Sequence, residues 1–226
     1  VDAGISCRRI KNALAGLGLT PGELTGVLVT HEHSDHINGL ATLFKQYHLP
    51  VWCSKGTARQ LEYRIAFLGE VLHPFAPGEA FPLGGLTVTA FATSHDAAES
   101  VGYTFTDGAH KAAIVTDLGV VTPVVEEGVR GAEVLVAEAN HDPDLLMDGP
   151  YPYYLKQRIR SAQGHLSNAD CAELAARVGA RTVVLAHLSA ENNRPALALA
   201  TVRAAVGADV TVEVAPRCET GRRYEL

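Results

Sequence analysis

Residues 29–40 read VTHEHSDHINGL, with three histidines, a glutamate and an aspartate in the six positions from His31 to His36. They directly follow TGVLVT (25–30), an apolar, β-branched run of the kind that forms a buried strand. A helical pattern opens at about residue 38, so the polar cluster falls in a loop between a strand end and a helix. One histidine there is an ordinary polar loop residue. HxHxDH is not, because packing gives no reason to gather so many imidazoles and a carboxylate, whereas metal binding does.

One loop cannot complete two coordination spheres, so other strand ends should supply the remaining ligands. His95 follows the strand-like run 86–92, Asp117 follows 112–116 and His187 follows 181–186, each at the start of a turn. The other runs that read as strands are 101–106, 133–137 and 209–214. Helical patterns cover about 6–17, 38–47, 56–68, 121–129, 168–178 and 194–206, several of them closed by glycine. The clearest is the last but one, with Ser167 or Asn168 as its N-cap. Strands come without intervening helices early on and alternate with helices later, which predicts a mixed α+β arrangement of two sheets flanked by helices.

Length and composition bound the rest. The 226 residues are 47% hydrophobic and 19% charged, without internal repeats or low-complexity tracts, which predicts one globular domain over 1–226. A formal charge of −6 means that any polyanion needs a local basic patch. No apolar stretch is long enough for a membrane span and no signal peptide opens the chain, so no membrane partner is expected and the cytoplasm is the expected location. Cys7, Cys53, Cys171 and Cys218 are far apart and form no CxxC pair, so they are expected to be reduced and structural rather than zinc ligands. The chain opens on VDAGIS, which reads as the end of a strand entering a turn, so further strands are expected to precede it.

HEHSDH followed by a later His, Asp and His resembles the signature of the metallo-β-lactamase superfamily, and the likeness spans nearly the whole chain. It implies a four-layer αβ/βα sandwich with two divalent ions per chain. His31, His33 and His95 would hold one ion, Asp35, His36 and His187 the other, and Asp117 both. Imidazole and carboxylate ligands without thiolate suit zinc or manganese, and iron as well. Asp2 matches an early aspartate that supports the metal loop from behind, and Glu32 is a second candidate for fixing histidine tautomers.

Branches of the superfamily differ at a few positions. Flavodiiron proteins carry Glu where this chain has His33, true β-lactamases carry Cys where it has Asp117, and about 70 residues between Asp117 and His187 leave no room for a β-CASP insertion. Within that interval Glu138, and His165 in GHLSN, look like the pair that ribonuclease Z uses at the scissile phosphate. Lys156, Arg158 and Arg160 interleave with Tyr151, Tyr153 and Tyr154 in a run without acids, the ingredients of a nucleic-acid platform as much as of a solvated helix. Together DAGISCRRI, THEHSDHINGL, EANHD, YPYYLKQRI, GHLSN and HLSAENN are similar to the YycJ/WalJ branch, regarded as cytoplasmic 5′ to 3′ DNA exonucleases linked to mismatch repair.

The resemblance therefore implies a dinuclear phosphodiester hydrolase acting on DNA. Asp35 would serve as ligand and proton acceptor, His165 as proton donor and Glu138 as its orienting carboxylate. Lys156, Arg158, Arg160 and Tyr154 would contact the substrate. A small-molecule phosphodiesterase, thioesterase or lactonase of the same fold is the alternative, and a structural metal site in a binding module is a rival of another class. The sequence leaves oligomeric state open.

Overall fold

Each β-branched run becomes a strand, and the strands sort into two sheets of different size. The computed structural model describes residues 1–217 and 219–224, so Cys218 lies outside the described residues. Two units result, one built on Val1–Glu79 with Ala97–Val101, the other on Ala80–Asp96 with Gly102–Arg217.

In the first unit, β1 (Val27–Leu28), β2 (Val51–Ser54) and β3 (Leu72–Phe75) form a three-stranded parallel sheet in that order. Helices α1 (Cys7–Gly16), α2 (Ser34–Ile37), α3 (Leu40–Tyr47) and α4 (Lys55–Arg64) accompany it. Val29, Leu40, Leu43, Val51, Cys53, Leu61 and Leu68 form its core, each fully or almost fully buried. Burial of one such side chain stabilises by about 1.5–3 kcal/mol. The expected helix at 38–47 forms as α3 from Leu40, and the polar loop before it begins a short helix of its own at Ser34. That at 56–68 ends at Arg64 and passes into a 3-10 turn at Ala66–Val71.

The second unit carries a seven-stranded sheet in the order β10-β9-β8-β7-β6-β5-β4. Its strands are β4 (Ala80–Leu83), β5 (Leu86–Ala92), β6 (Val101–Thr106), β7 (Lys111–Val115), β8 (Val134–Glu138), β9 (Thr182–Ala186) and β10 (Thr211–Val214). Helix α5 (Pro123–Val129) has Thr122 as N-cap and proline at its first position, and α6 (Pro143–Asp148) is capped by Asp142. Then follow α7 (Tyr153–Ile159), α8 (Asn168–Val178) and α9 (Pro195–Ala205). Ser167 and Asp170 form the capping box that opens α8, and Gly179 closes it at φ 68°. Phe91, Val115, Leu135, Leu166, Leu174, Val183, Leu185 and Val202 belong to the core of this unit.

Strands β7, β8, β9 and β10 run parallel, so the carboxyl ends of the first three open on one edge of the sheet. That edge carries Asp117, Glu138 and His187. Three strands escape the reading of the sequence. β3 and β4 contain Pro74 and Pro82, which an edge strand tolerates, and both lie at sheet edges. β2 is only four residues long. No helix of the described residues is long and apolar enough to cross a membrane.

Candidate metal centre and adjoining cleft

Ligand-type residues gather in two groups, one in each unit. In the first, the chain leaves β1 through Thr30 and reaches His31, Glu32 and His33 before α2 begins. The rings of His33 and His36 lie 4.5 and 4.2 Å from that of His31. His31 is fully buried and His36 nearly so, while the Asp35 side chain is largely exposed, its Oδ2 3.7 Å from His36 Nε2.

Asp2 organises this group. Its Oδ1 accepts from Thr30 N at 2.8 Å, and its Oδ2 accepts from the Thr30 hydroxyl at 2.9 Å and from His36 Nδ1 at 2.8 Å. With its proton committed to Asp2, Thr30 Oγ1 accepts from His31 Nδ1 at 3.0 Å. The network thus assigns the Nδ1–H tautomer to both histidines and leaves Nε2 as their ligand atom, the arrangement by which a carboxylate orients a metal-binding imidazole. Glu32 serves otherwise than expected. Its Oε1 accepts from Ala98 N at 2.9 Å and its carbonyl from Arg64 Nη1 at 2.7 Å, so it braces the Ala97–Val101 segment rather than a histidine tautomer.

The second group stands at strand ends. Asp117 and His187 follow β7 and β9 in the left-handed region, at φ 58° and 57°, as Asp2 does at 56° in the first unit. His95 follows β5, its Nδ1 donating to Gly164 O at 3.0 Å. Asp117 Oδ1 lies 3.8 Å from His95 Nε2, 3.6 Å from His187 Nε2 and 3.6 Å from His165 Nδ1. Ligand atoms of Asp117, Glu138, His165 and His187 lie within 4.8 Å of one another.

Glu138, with no exposed surface, holds this group together. Its Oε1 accepts from His165 Nδ1 at 2.8 Å and His187 Nδ1 at 2.7 Å, and its Oε2 from the backbone N–H groups of Leu118 and Leu166 at 3.2 and 3.1 Å. Burial alone would raise its pKa. The hydrogen bonds and charges of the two histidines outweigh burial and hold the carboxyl well below the usual range. His165 shows the reciprocal effect: burial disfavours its charged form, but Glu138, with help from Asp117, raises its pKa above the ordinary histidine value. His95 and His141 are lowered, chiefly by burial.

The donor set therefore fits divalent metal. Four histidines, His31, His36, His95 and His187, are held at Nδ1 by neighbours and present Nε2, and two buried carboxylates stand among them in the second unit. Sequence reasoning missed that Glu138 also orients His187, for nothing in the spacing of the chain reveals a shared acceptor.

Of the run from Tyr151 to Arg160, the structure turns one cation inward. Lys156 is buried and its ammonium donates to Met147 O at 2.5 Å, so it is not offered to a phosphate. Arg158 pairs with Asp96, Nε at 2.6 Å and Nη2 at 2.5 Å from Oδ2, and Arg160 reaches Met147 Sδ at 3.4 Å. Tyr153 and Tyr154 are among the most exposed large side chains. A cleft of about 1160 Å³ opens beside His165 and His187, with Tyr151, Asp96 and Arg158 in its wall. Arg194 and Arg217, which no motif had singled out, line it too.

Comparison with known proteins bears on this arrangement. A family model described as beta-lactamase superfamily domain matches residues 1–188. The chain is 38% identical over 206 residues to exodeoxyribonuclease YycJ of Bacillus anthracis, covering 89% of this chain and 78% of that protein. It is likewise 38% identical over 209 residues to exodeoxyribonuclease WalJ of Streptococcus pneumoniae (strain D39), covering 89% and 77%. Among solved structures, the metallo-beta-lactamase fold protein YhfI of Bacillus subtilis superposes with a TM-score of 0.69 at 20% identity, over 91% of this chain and 79% of that one.

Proposed function

The chain belongs to the metallo-β-lactamase superfamily and to its YycJ/WalJ-like branch, as a metal-dependent hydrolase, and on that premise we propose that it cleaves phosphodiester bonds in DNA as a dinuclear 5′ to 3′ exonuclease. His31, His33 and His95 would hold one ion, Asp35, His36 and His187 the other, and Asp117 both, the whole chain 1–226 acting as one domain. Two divalent ions, zinc or manganese, would acidify a water molecule and offset charge on the phosphoryl oxygens. Asp2 and Glu138 keep the ligating imidazoles in their Nδ1–H form. Asp35, exposed beside His36, would be a metal ligand and could also accept a proton there.

The observation that carries the reading is the pair Glu138 and His165. A carboxylate buried to zero exposure fixes Nδ1 of a half-buried imidazole and raises its pKa, which favours the protonated form that a donor to the departing oxygen needs. A thioester, whose thiolate leaves readily without a proton, has far less use for that donor. In the cleft wall Arg158, on the exposed face of α7 Tyr154, and at its C-cap the exposed Arg160 are the substrate contacts this reading keeps from the acid-free run.

The deciding experiment offers end-labelled single- and double-stranded DNA and RNA, with 5′-phosphate or 5′-hydroxyl ends, to protein loaded with Mn²⁺ or Zn²⁺. Stepwise release of nucleotides from the 5′ end of DNA is expected. Turnover of small phosphodiesters without attack on any polynucleotide would replace the nuclease reading with that of a small-molecule phosphodiesterase.

A further inference from the structure

The cleft beside His165 and His187 carries more positive charge than a chain of net charge −6 would suggest. Of its three arginines, Arg158 is neutralised by Asp96. The other two are not matched by a carboxylate among the described residues. Arg194 donates to the backbone oxygens of Asn193 at 2.8 Å and Glu191 at 3.4 Å, and Arg217 to that of Leu188 at 2.7 Å. A carbonyl orients a guanidinium without cancelling its charge, so both keep a full unit for an incoming anion. Arg194 is also the N-cap of α9, whose positive end adds to the field at the same wall.

The rest of the cleft is largely apolar, with Tyr151, Leu155, Leu188 and Pro216 among its lining. A site with two unneutralised cations on an apolar wall suits a ligand with a flat, weakly polar body and a dianionic end. A lactone or a simple thioester has no such end. Inorganic phosphate has no body. An internal phosphodiester carries one charge, whereas a phosphomonoester carries about −1.5 to −2 near neutral pH.

We propose that this cleft binds a nucleotide unit bearing a phosphomonoester, the base lying against the Tyr151 wall and the dianion on Arg194 and Arg217. The proposal rests on the phosphodiesterase reading, for which it names the subsite that grips a phosphorylated end or the released mononucleotide. Arg194 and Arg217 are then specificity residues, and nucleoside monophosphate is a product inhibitor.

Calorimetric titration of the purified protein, with and without EDTA, tests this using deoxyadenosine 5′-monophosphate, deoxyadenosine 3′-monophosphate, deoxyadenosine and inorganic phosphate. One of the two monophosphates should bind at least tenfold more tightly than phosphate or the nucleoside, and should do so without metal. Which of them wins identifies the end that is gripped. Arg194→Gln and Arg217→Gln should each weaken that binding by about tenfold, the loss of one hydrogen-bonded charge, and leave deoxyadenosine binding as it was. Arg158→Gln should matter less, because Asp96 already neutralises it. Thermal melting establishes that each variant is folded, and the comparison of the four ligands on unaltered protein decides if one is not.

Monophosphate binding no tighter than that of phosphate, or lost entirely with EDTA, would overturn the proposal, as would folded arginine variants that bind like the parent. DNA digestion alongside absent monophosphate binding would remove the subsite and keep the nuclease. Arginine-dependent binding without cleavage of any phosphodiester would keep the subsite and remove the nuclease.

Discussion

Glu138 accepts four hydrogen bonds from three segments of chain, and no water reaches it. A buried carboxylate tolerates that position only while every lone pair is engaged, so its two imidazole partners are fixed as firmly as it is. His165→Ala should therefore leave metal content unchanged and slow DNA cleavage by roughly 10² to 10⁴, the range for losing a positioned proton donor. With bis(p-nitrophenyl) phosphate, whose leaving group needs no proton, the defect should shrink, and steady-state rates on the two substrates measure the difference. An equal loss on both would mean that His165 holds phosphate instead. The thiols give a separate test. Burial pushes Cys53 and Cys171 up to about 12, and Cys7 is buried as well. All three should resist iodoacetamide at pH 8 in native protein and react on unfolding, as peptide mapping would reveal.

Among the elements, the turn from β1 into α2 depends on the first four residues. Asp2 N donates to Leu28 O, Ala3 N to His36 O and Gly39 N to Ala3 O, which threads the chain start alongside the histidine loop. A Cβ on Gly4 would stand 1.4 Å from the carbonyl oxygen of Asp35, closer than any adjustment of a side chain can relieve. Gly4→Ala should cost about 3 kcal/mol or more, since the backbone itself must move, and should weaken metal binding through the displaced Asp2. Urea unfolding and metal titration check the two effects. Gly164 is constrained in the same way, a Cβ there meeting Ile159 O at 2.1 Å, and its carbonyl holds His95.

For the whole molecule, the seven proposed ligands would link stability to metal. Ions bound at 100 times their dissociation constant add about 2.7 kcal/mol per independent site. For a chain of 226 residues that corresponds to roughly 5–10 °C in Tm, so EDTA should lower the melting temperature by at least that much and Zn²⁺ or Mn²⁺ should restore it. Elemental analysis of loaded protein should approach two ions per chain. Asp117→Ala should lose the second, and one tightly held ion in fully active protein would refute the dinuclear reading.

The histidine loop, the lone ligands after strand-like runs and the clear capping of α8 were legible in the sequence, because each depends on neighbours within a few residues: a strand's alternation, a cap, a cluster of ligand types. The strands β2, β3 and β4 were not, being short or interrupted by proline and stabilised by pairing with distant partners. By itself the sequence determined the superfamily and with it metal-dependent hydrolysis, and it named the ligand-type residues proposed to carry that chemistry. Tertiary structure alone decided that Glu138 serves His187 as well as His165, and that Glu32 braces a segment 66 residues away. It also turned Lys156 inward onto a carbonyl and brought Arg194 and Arg217 into one cleft with Arg158. A charge acts through distance and solvent exposure, and neither is encoded in its place along the chain.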